Sequence, residues 1–581
     1  MPAGICPNPG GDHLPIGAGQ VTVVRLTALA PGNPPRFICD YSIPVTGGGN
    51  TQELLIPDQS PVVDILLDAF GDVPNGGTVR PLLYQGEQRG VAVAGGTAEL
   101  LMLRPLSFGC LPVHLGKPRA FHSATALPDG SVLVAGGVTG FSDVVRQQLA
   151  ATESIEVYDP HTRTFYAPLD RRAQKTPRAF HQAVALPPAP DGKFLVMLIG
   201  GVQPALGDAS FSVAGLRRGA EPLRVMPLDT ALAAGVEILV FDPVAHTIDS
   251  AATATSSFAS RMFPAVTTDP GMLAGLAIAG GIKKAGATFD PANALVSIDQ
   301  ADKTSGTQLP GGTMANLTEQ RVGASLTPLD TNHALVFGGD MSAPATMEAA
   351  HSAELVGGIG TASVNSVPLT VPMATSVLPT AFHTATRLDD GSVAIIGGFL
   401  VQGGVAINTN DAAPLQRVKP DTLNNLTTTT VAAGGFVGVG YHATTLLPDT
   451  GALLVSGGSP AMSAMSCGLL CSSQDAYLID KATVMIRSTH KLAVGRYGHQ
   501  QSLLVDGTVL VSGGLRFQPD KHDVSAIVLD SVEVFNPHDS GFDRINLAPL
   551  NLMRPVGKAL GDADPTKLCL TRDAYNKMHN Q

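Results

Sequence analysis

The chain of 581 residues has no tryptophan, few aromatics (5%) and few charged residues (15%), against about 25% charged in ordinary globular domains. Scarce charge beside many turn residues favours short strands over long salt-bridged helices. No apolar run approaches the roughly 18 residues of a membrane-spanning helix. The net charge of −11 and isoelectric point near 5.7 leave no footprint for nucleic acid or anionic membrane. The opening residues, MPAGICPNPGG, contain neither part of a secretion signal. They fit a cytosolic chain, or a mature one whose signal has been removed. Also missing are a Gly-Lys-Ser/Thr phosphate loop, HExxH and GxSxG. The Gly-Gly pairs end strands rather than open helices, which excludes a dinucleotide fingerprint.

Gly (64) and Pro (44) are abundant. In residues 15–108, apolar runs (VTVVRL, ELLIPD, VVDILLDAF, ELLMLRPL) alternate with Gly/Pro/Asn turns, which predicts a small Ig-like β-sandwich after an extension at 1–14. Six cysteines suggest the pairs Cys6 with Cys39, Cys110 with Cys569 and Cys467 with Cys471. A disulfide framework places the chain in an oxidising compartment; buried free thiols are the alternative.

From Cys110 a phrase repeats. RAFHSATALPDGSVLVAGG, ending at Gly137, returns with its second glycine at Gly201, Gly281, Gly339, Gly398, Gly458 and Gly514. Each unit has a first strand of small residues, an Asp/Gly turn and a buried apolar strand ending in Gly-Gly. A third strand then closes on a Pro turn at Pro160, Pro243, Pro291 and Pro537, and a weaker fourth strand follows. Units of about 56 to 80 residues suit four-stranded blades.

The Arg-x-x-His start, the Asp-Gly turn, the Gly-Gly and the Tyr/Phe-Asp-Pro resemble kelch repeats over roughly residues 111–550. The resemblance implies a β-propeller, here seven-bladed and all-β. Departures are the missing fourth-strand Trp (Phe165, Ile248 or Phe542 lie nearby), Pro264 and Ala324 in place of His, and Val439 in place of Arg. The expected domains are the sandwich at 15–108, the propeller at 109–556 and a tail at 557–581. An open propeller exposes strand edges, so the tail is expected to latch beside blade one, with Cys569 bonded to Cys110.

His122, His181, His383, His442 and His499 share one repeat position, which reads as blade packing rather than a metal centre. Spread around a channel, they stand too far apart for one ion at about 2.1 Å. Tyr441-His442 resembles the copper-ligating pair of galactose and glyoxal oxidases. That family also needs a cysteine cross-linked to a second tyrosine and another histidine, and Phe121, Phe180 and Phe382 occupy the equivalent positions here. No metal or other cofactor is expected. Cys467 and Cys471 read as a small-loop disulfide, and Asn316 and Asn425 begin glycosylation triplets.

Long connections (202–235, 340–351, 399–414, 459–474, 515–529) fall on one face, where binding usually resides. Arg217, Arg218 and Arg224, with Lys283 and Lys284, form a candidate basic cluster there for an acidic partner or glycan. The sequence predicts a non-catalytic, extracellular or cell-surface scaffold binding a protein or glycan. The alternatives are a component of a larger surface assembly and a copper-radical oxidase.

Overall fold

The computed structural model describes most of residues 21–537 and the pair Leu570–Thr571. The longer stretches outside the described residues are 1–20, 31–35, 46–53, 56–60, 73–81, 93–101, 204–230, 255–260, 268–274, 300–312, 340–352, 371–379, 409–414, 461–471, 538–569 and 572–581. Among the described residues every regular element is a strand.

Residues 123–536 form seven successive sheets. Sheet 1 runs, from its first strand outward, through Ser123–Ala126, Val132–Ala135, Ile155–Asp159 and Thr164–Tyr166. Sheet 2 contains Gln182–Leu186, Phe194–Ile199, Val236–Asp242 and Thr247–Ala254, with Leu169–Asp170 added in parallel at its edge. Sheet 3 contains Ala265–Val266, Gly275–Ala279, Ala294–Asp299 and Thr313–Asn316. Sheets 4, 5 and 6 begin at Ser325–Pro328, Thr384–Arg387 and Ala443–Leu447 and follow the same antiparallel order.

The local reasons repeat. Second strands such as VLVA and VAII are apolar, rich in β-branched residues and buried throughout. The Asp-Gly turns hold themselves: Asp129 Oδ1 accepts the Ser131 N–H (2.9 Å) and hydroxyl (2.6 Å), and Asp506 does the same for Thr508. Glycine supplies the left-handed residue, as at Gly130 (φ 86°).

One set of backbone bonds links all the sheets. The N–H of the second glycine in each Gly-Gly donates to the carbonyl at the arginine position of the next sheet. Gly137 donates to Arg178, Gly201 to Arg261, Gly281 to Arg321, Gly339 to Thr380, Gly398 to Val439 and Gly458 to Arg496, at 2.8–2.9 Å. Gly514 of the seventh sheet then donates to Arg119, at the start of the first, at 2.8 Å.

Four expectations change. The seventh sheet comprises Gln500–Leu503, Val509–Ser512 and Val532–Asn536, and its fourth strand is Ser107–Cys110. A boundary at 108 would cut that strand. Sequence patterning misses it because SFGC is four residues of mixed polarity, stabilised by the edge it covers and by Phe108 packing on Phe535 (4.7 Å between ring centres). The described part of the tail, Leu570–Thr571, pairs with Leu54–Leu55 of the N-terminal region, not with the first sheet. In unit 3, TFDP (Thr288–Pro291) pairs with Ile282–Ala285 in a hairpin, while Ala294–Asp299 is the true third strand, in register with Gly275–Ala279.

The N-terminal region forms one four-stranded antiparallel sheet, in the order Arg36–Pro44, Val23–Ala30, Val62–Phe70, Leu82–Ala92. Among the described residues this sheet and the short pair of Leu54–Leu55 with Leu570–Thr571 stand where the sandwich was expected. Arg25 and Asp68 form an ion pair (2.6 Å) across it, and Gln85 Nε2 also donates to Asp68. Gln85 pairs with Leu103, and Leu103 packs with Leu111, Leu504 and Val534, which ties this sheet to sheet 7. Because Ser107 lies opposite Asn536, at the short-turn end of its strand, the connection enters from that end.

Candidate functional site

The opposite end carries the long connections, and most of them are β-hairpins. Sheet 1 sends out Val138–Asp143 with Gln148–Ala151, sheet 3 sends out Ile282–Ala285 with Thr288–Pro291, sheet 5 sends out Phe399–Gln402 with Val405–Asn408, and sheet 7 sends out Leu515–Pro519 with Val524–Val528. Sheet 2 has a shorter pair, Val202–Gln203 with Ala231–Leu232. Four of these five hairpin roots are fixed where the chain enters the sheet: Ala120 bridges Val138, Ala179 bridges Val202, Met262 bridges Ile282 and Tyr497 bridges Leu515.

Between the roots sits a collar. The position before the repeat histidine is Phe121, Phe180, Phe263, Gly323, Phe382, Tyr441 and Gly498 in the seven sheets, and all seven have positive φ, from 50° to 67°. For a bulky residue this is a backbone outlier, held only where its surroundings enforce it. Two sets of contacts do so here. Neighbouring backbones bond in sequence: Phe180 N–H to the Phe121 carbonyl (3.2 Å), Phe121 to Gly498 (2.7 Å), Gly498 to Tyr441 (2.9 Å), Tyr441 to Phe382 (3.3 Å) and Phe382 to Gly323 (2.8 Å). The aromatic side chains also meet in a circuit, with centre distances of 4.7 Å (Phe121–Phe180), 4.8 Å (Phe180–Phe263), 5.1 Å (Phe263–Phe382), 4.7 Å (Phe382–Tyr441) and 5.4 Å (Tyr441–Phe121). The two glycines are required by their neighbours. A Cβ on Gly323 would lie 2.7 Å from the Phe382 ring, and one on Gly498 would lie 2.8 Å from Phe121.

Below the collar, each repeat histidine spans two sheets. His181 Nε2 meets Ser123 Oγ (2.9 Å), His383 meets Ser325 (2.8 Å), His442 meets Thr384 (3.0 Å), His499 meets Ser456 (3.1 Å) and His122 meets Ser512 (3.1 Å). Cε1 of each ring packs where a Cβ would otherwise stand on the first glycine of the preceding sheet, for example 2.8 Å from that point on Gly136 for His181. The first glycine is therefore small to admit the next sheet's imidazole. Burial keeps these rings neutral: it pushes His181 down to about 3 and His383 and His442 to about 4, and it holds His122 and His499 well below the ordinary value. Nearby charge adds to this, from the Arg119 guanidinium at His122 and the Arg496 guanidinium at His499.

The arginines of the phrase are structural too. Arg119, Arg178, Arg321 and Arg496 are buried and pair with Glu156, Glu237, Glu354 (3.1 Å) and Glu533 (2.6 Å), while Nη1 of each donates to the first Gly-Gly carbonyl. The glutamates also accept backbone N–H groups from the incoming chain, Gly116 for Glu156, Thr318 for Glu354 and Ala493 for Glu533. These glutamates were within reach of the sequence. Glu follows the first residue of IEVYD, VEILV, AELVG and VEVFN, and every unit with that Glu has the Arg.

The structure places Tyr441 and His442 together at the start of sheet 6. The tyrosine ring belongs to the collar, and the histidine is committed to Thr384 Oγ1 and the space over Gly397. Among the described residues no group of three His, Cys, Asp or Glu side chains could hold a metal ion. Of the basic cluster, Lys283 is exposed on the sheet 3 hairpin, where its backbone lies opposite Asp290, and Lys284 is the next residue of that strand. Arg217, Arg218 and Arg224 lie outside the described residues, as do Cys6, Cys467, Cys471 and Cys569. Cys39 and Cys110 are each disulfide-bonded, to partners outside the described residues.

No family model matches the chain, and no curated protein matches it.

Proposed function

We propose that the seven sheets are the blades of a seven-bladed kelch-like β-propeller, and that the protein is a non-catalytic binding scaffold. Its hairpin-bearing face would take a protein or a glycan. The observation that carries this reading is the set of seven Gly-to-next-sheet backbone bonds, which ends by joining Gly514 to Arg119. In a propeller the second-to-third connections and the blade-to-blade links share one face, so the hairpins would surround the axial mouth. That mouth is filled by the aromatic collar, which leaves recognition to the hairpins. The chain from the N-terminal sheet joins sheet 7 from the other end. The disulfide-bonded state of Cys39 and Cys110 favours an oxidising, extracellular or cell-surface setting.

The test compares the intact chain with a variant whose sheet 5 hairpin, residues 399–408, is replaced by a two-residue turn. Both are applied to a glycan array and to solubilised cell-surface proteins. The proposal requires selective binding by the intact chain, loss of it in a variant with unchanged unfolding temperature, and no stoichiometric copper in the purified protein. Equal binding by both, or one copper per chain, contradicts it.

A further inference from the structure

The contacts between sheets are not evenly distributed. Five of the seven boundaries carry a histidine-to-hydroxyl bond: 7/1, 1/2, 4/5, 5/6 and 6/7. The other two flank sheet 3, because Pro264 and Ala324 stand where the histidine would be. Among the described residues the buried arginine–glutamate pair is confined to sheets 1, 2, 4 and 7. Register places Val296 opposite Ile278 as Glu156 stands opposite Val134, so valine holds the glutamate position. The collar breaks at the same place. Six backbone bonds join successive collar residues, and the seventh, from Gly323 N–H to the Phe263 carbonyl, is not formed among the described residues. Only the Phe263–Phe382 contact, edge to face at 5.1 Å, spans that boundary within the aromatic circuit.

We infer that sheet 3 is a built-in opening segment, and that the array parts at the boundary between sheets 3 and 4. Segments with fewer tertiary bonds open at lower free energy than the rest of a fold. The histidine latch on both sides and one collar bond are missing around this sheet, and no other sheet lacks a latch on both sides. Opening would break the Gly281–Arg321 backbone bond. It would also displace the hairpin that presents Lys283, so a ligand on that hairpin would be coupled to the opening. The inference rests on the propeller reading, since only a closed array has a seam.

Hydrogen exchange on the full chain, resolved to the glycine amides, tests it. The Gly281 amide should exchange at least about tenfold faster than those of Gly137, Gly398 and Gly458, which make the same bond at latched boundaries. Equal or slower exchange at Gly281 overturns the inference. The Gly514 amide reports separately on the propeller: fast exchange there would mean an open end between sheets 7 and 1. A second arm installs the missing latch with Ala279→Ser and Ala324→His, placing a hydroxyl just before Gly-Gly as in Ser456 and Ser512. Exchange at Gly281 should slow toward the other glycines while Gly458 is unchanged. No slowing in a folded double variant also overturns the inference.

Discussion

Sheet 7 and sheet 3 come from the same repeat and are held very differently. Sheet 7 has the complete set: Arg496 with Glu533, His499 on Ser456, Ser512 receiving His122, and a fourth strand brought from upstream of sheet 1. Sheet 3 keeps Arg261 on the Gly280 carbonyl (2.8 Å) and the Gly-to-next-sheet bond, but no histidine latch on either side. Burial alone lowers the Arg261 guanidinium to about 10, whereas Glu533 opposes that effect at Arg496. The backbone bonds are thus the common denominator of the array, and the side-chain latches are a second layer that one sheet does without. Four experiments bear on that contrast.

Acid should have the largest effect. The five latch histidines are depressed in the folded state, so between the unfolded value near 6.5 and their folded values the unfolded chain binds more protons. Their contribution is complete above about pH 6.5 and is lost as pH falls toward 4, by up to about 1.4 kcal/mol per pH unit for each histidine. Denaturant titrations at pH 7, 6 and 5 measure the slope. The sheet 3 boundaries have no histidine to protonate, so the exchange contrast between Gly281 and Gly458 should shrink at pH 5. A flat stability profile would contradict the latch account.

Next, Glu533→Ala should destabilise the protein by about 3–5 kcal/mol, because it strands the buried Arg496. Gly323→Ala should cost about 2–3 kcal/mol through its positive φ and the Phe382 ring, while Gly192→Ala, with open space around it, should cost about 1 kcal/mol. His499→Ala should cost about 1–2 kcal/mol for one buried bond, and the smallest effect, about 0.5 kcal/mol or less, is expected for Ala324→Ser at the unlatched boundary. Urea midpoints at pH 7 rank all five variants.

The repeat, its strand order and its turns were legible because they are local. Alternating small and apolar residues, Asp-Gly and Gly-Gly each act within a few positions. The structural role of the histidines was also legible, since five copies at one phase argue for packing. What was lost is what depends on distant partners. Ser107–Cys110 is a strand only because Val532–Asn536 leaves an edge for it. In unit 3, TFDP imitates a third-strand ending, but register with Ile282–Ala285 makes it half of a hairpin. The collar was visible only as Phe, Phe, Phe, Gly, Phe, Tyr and Gly before the histidine, and nothing local announces that those seven residues adopt positive φ. Pro264 and Ala324 looked like blurred copies of the phrase; in three dimensions they are the two sides of one sheet.

Closure between sheets 7 and 1 is the central claim, and a cysteine pair tests it directly. A Cβ placed on Gly130 lies 3.5 Å from the Val505 Cβ, within the roughly 3.5–4.5 Å that a disulfide spans. These residues sit in the short turns of the first and last sheets. The Gly130→Cys, Val505→Cys double variant should form a bridge between the two introduced thiols under mild oxidation, detected by peptide mapping as one cross-linked species in folded protein. Introduced thiols that both stay free in folded protein would contradict the closed array.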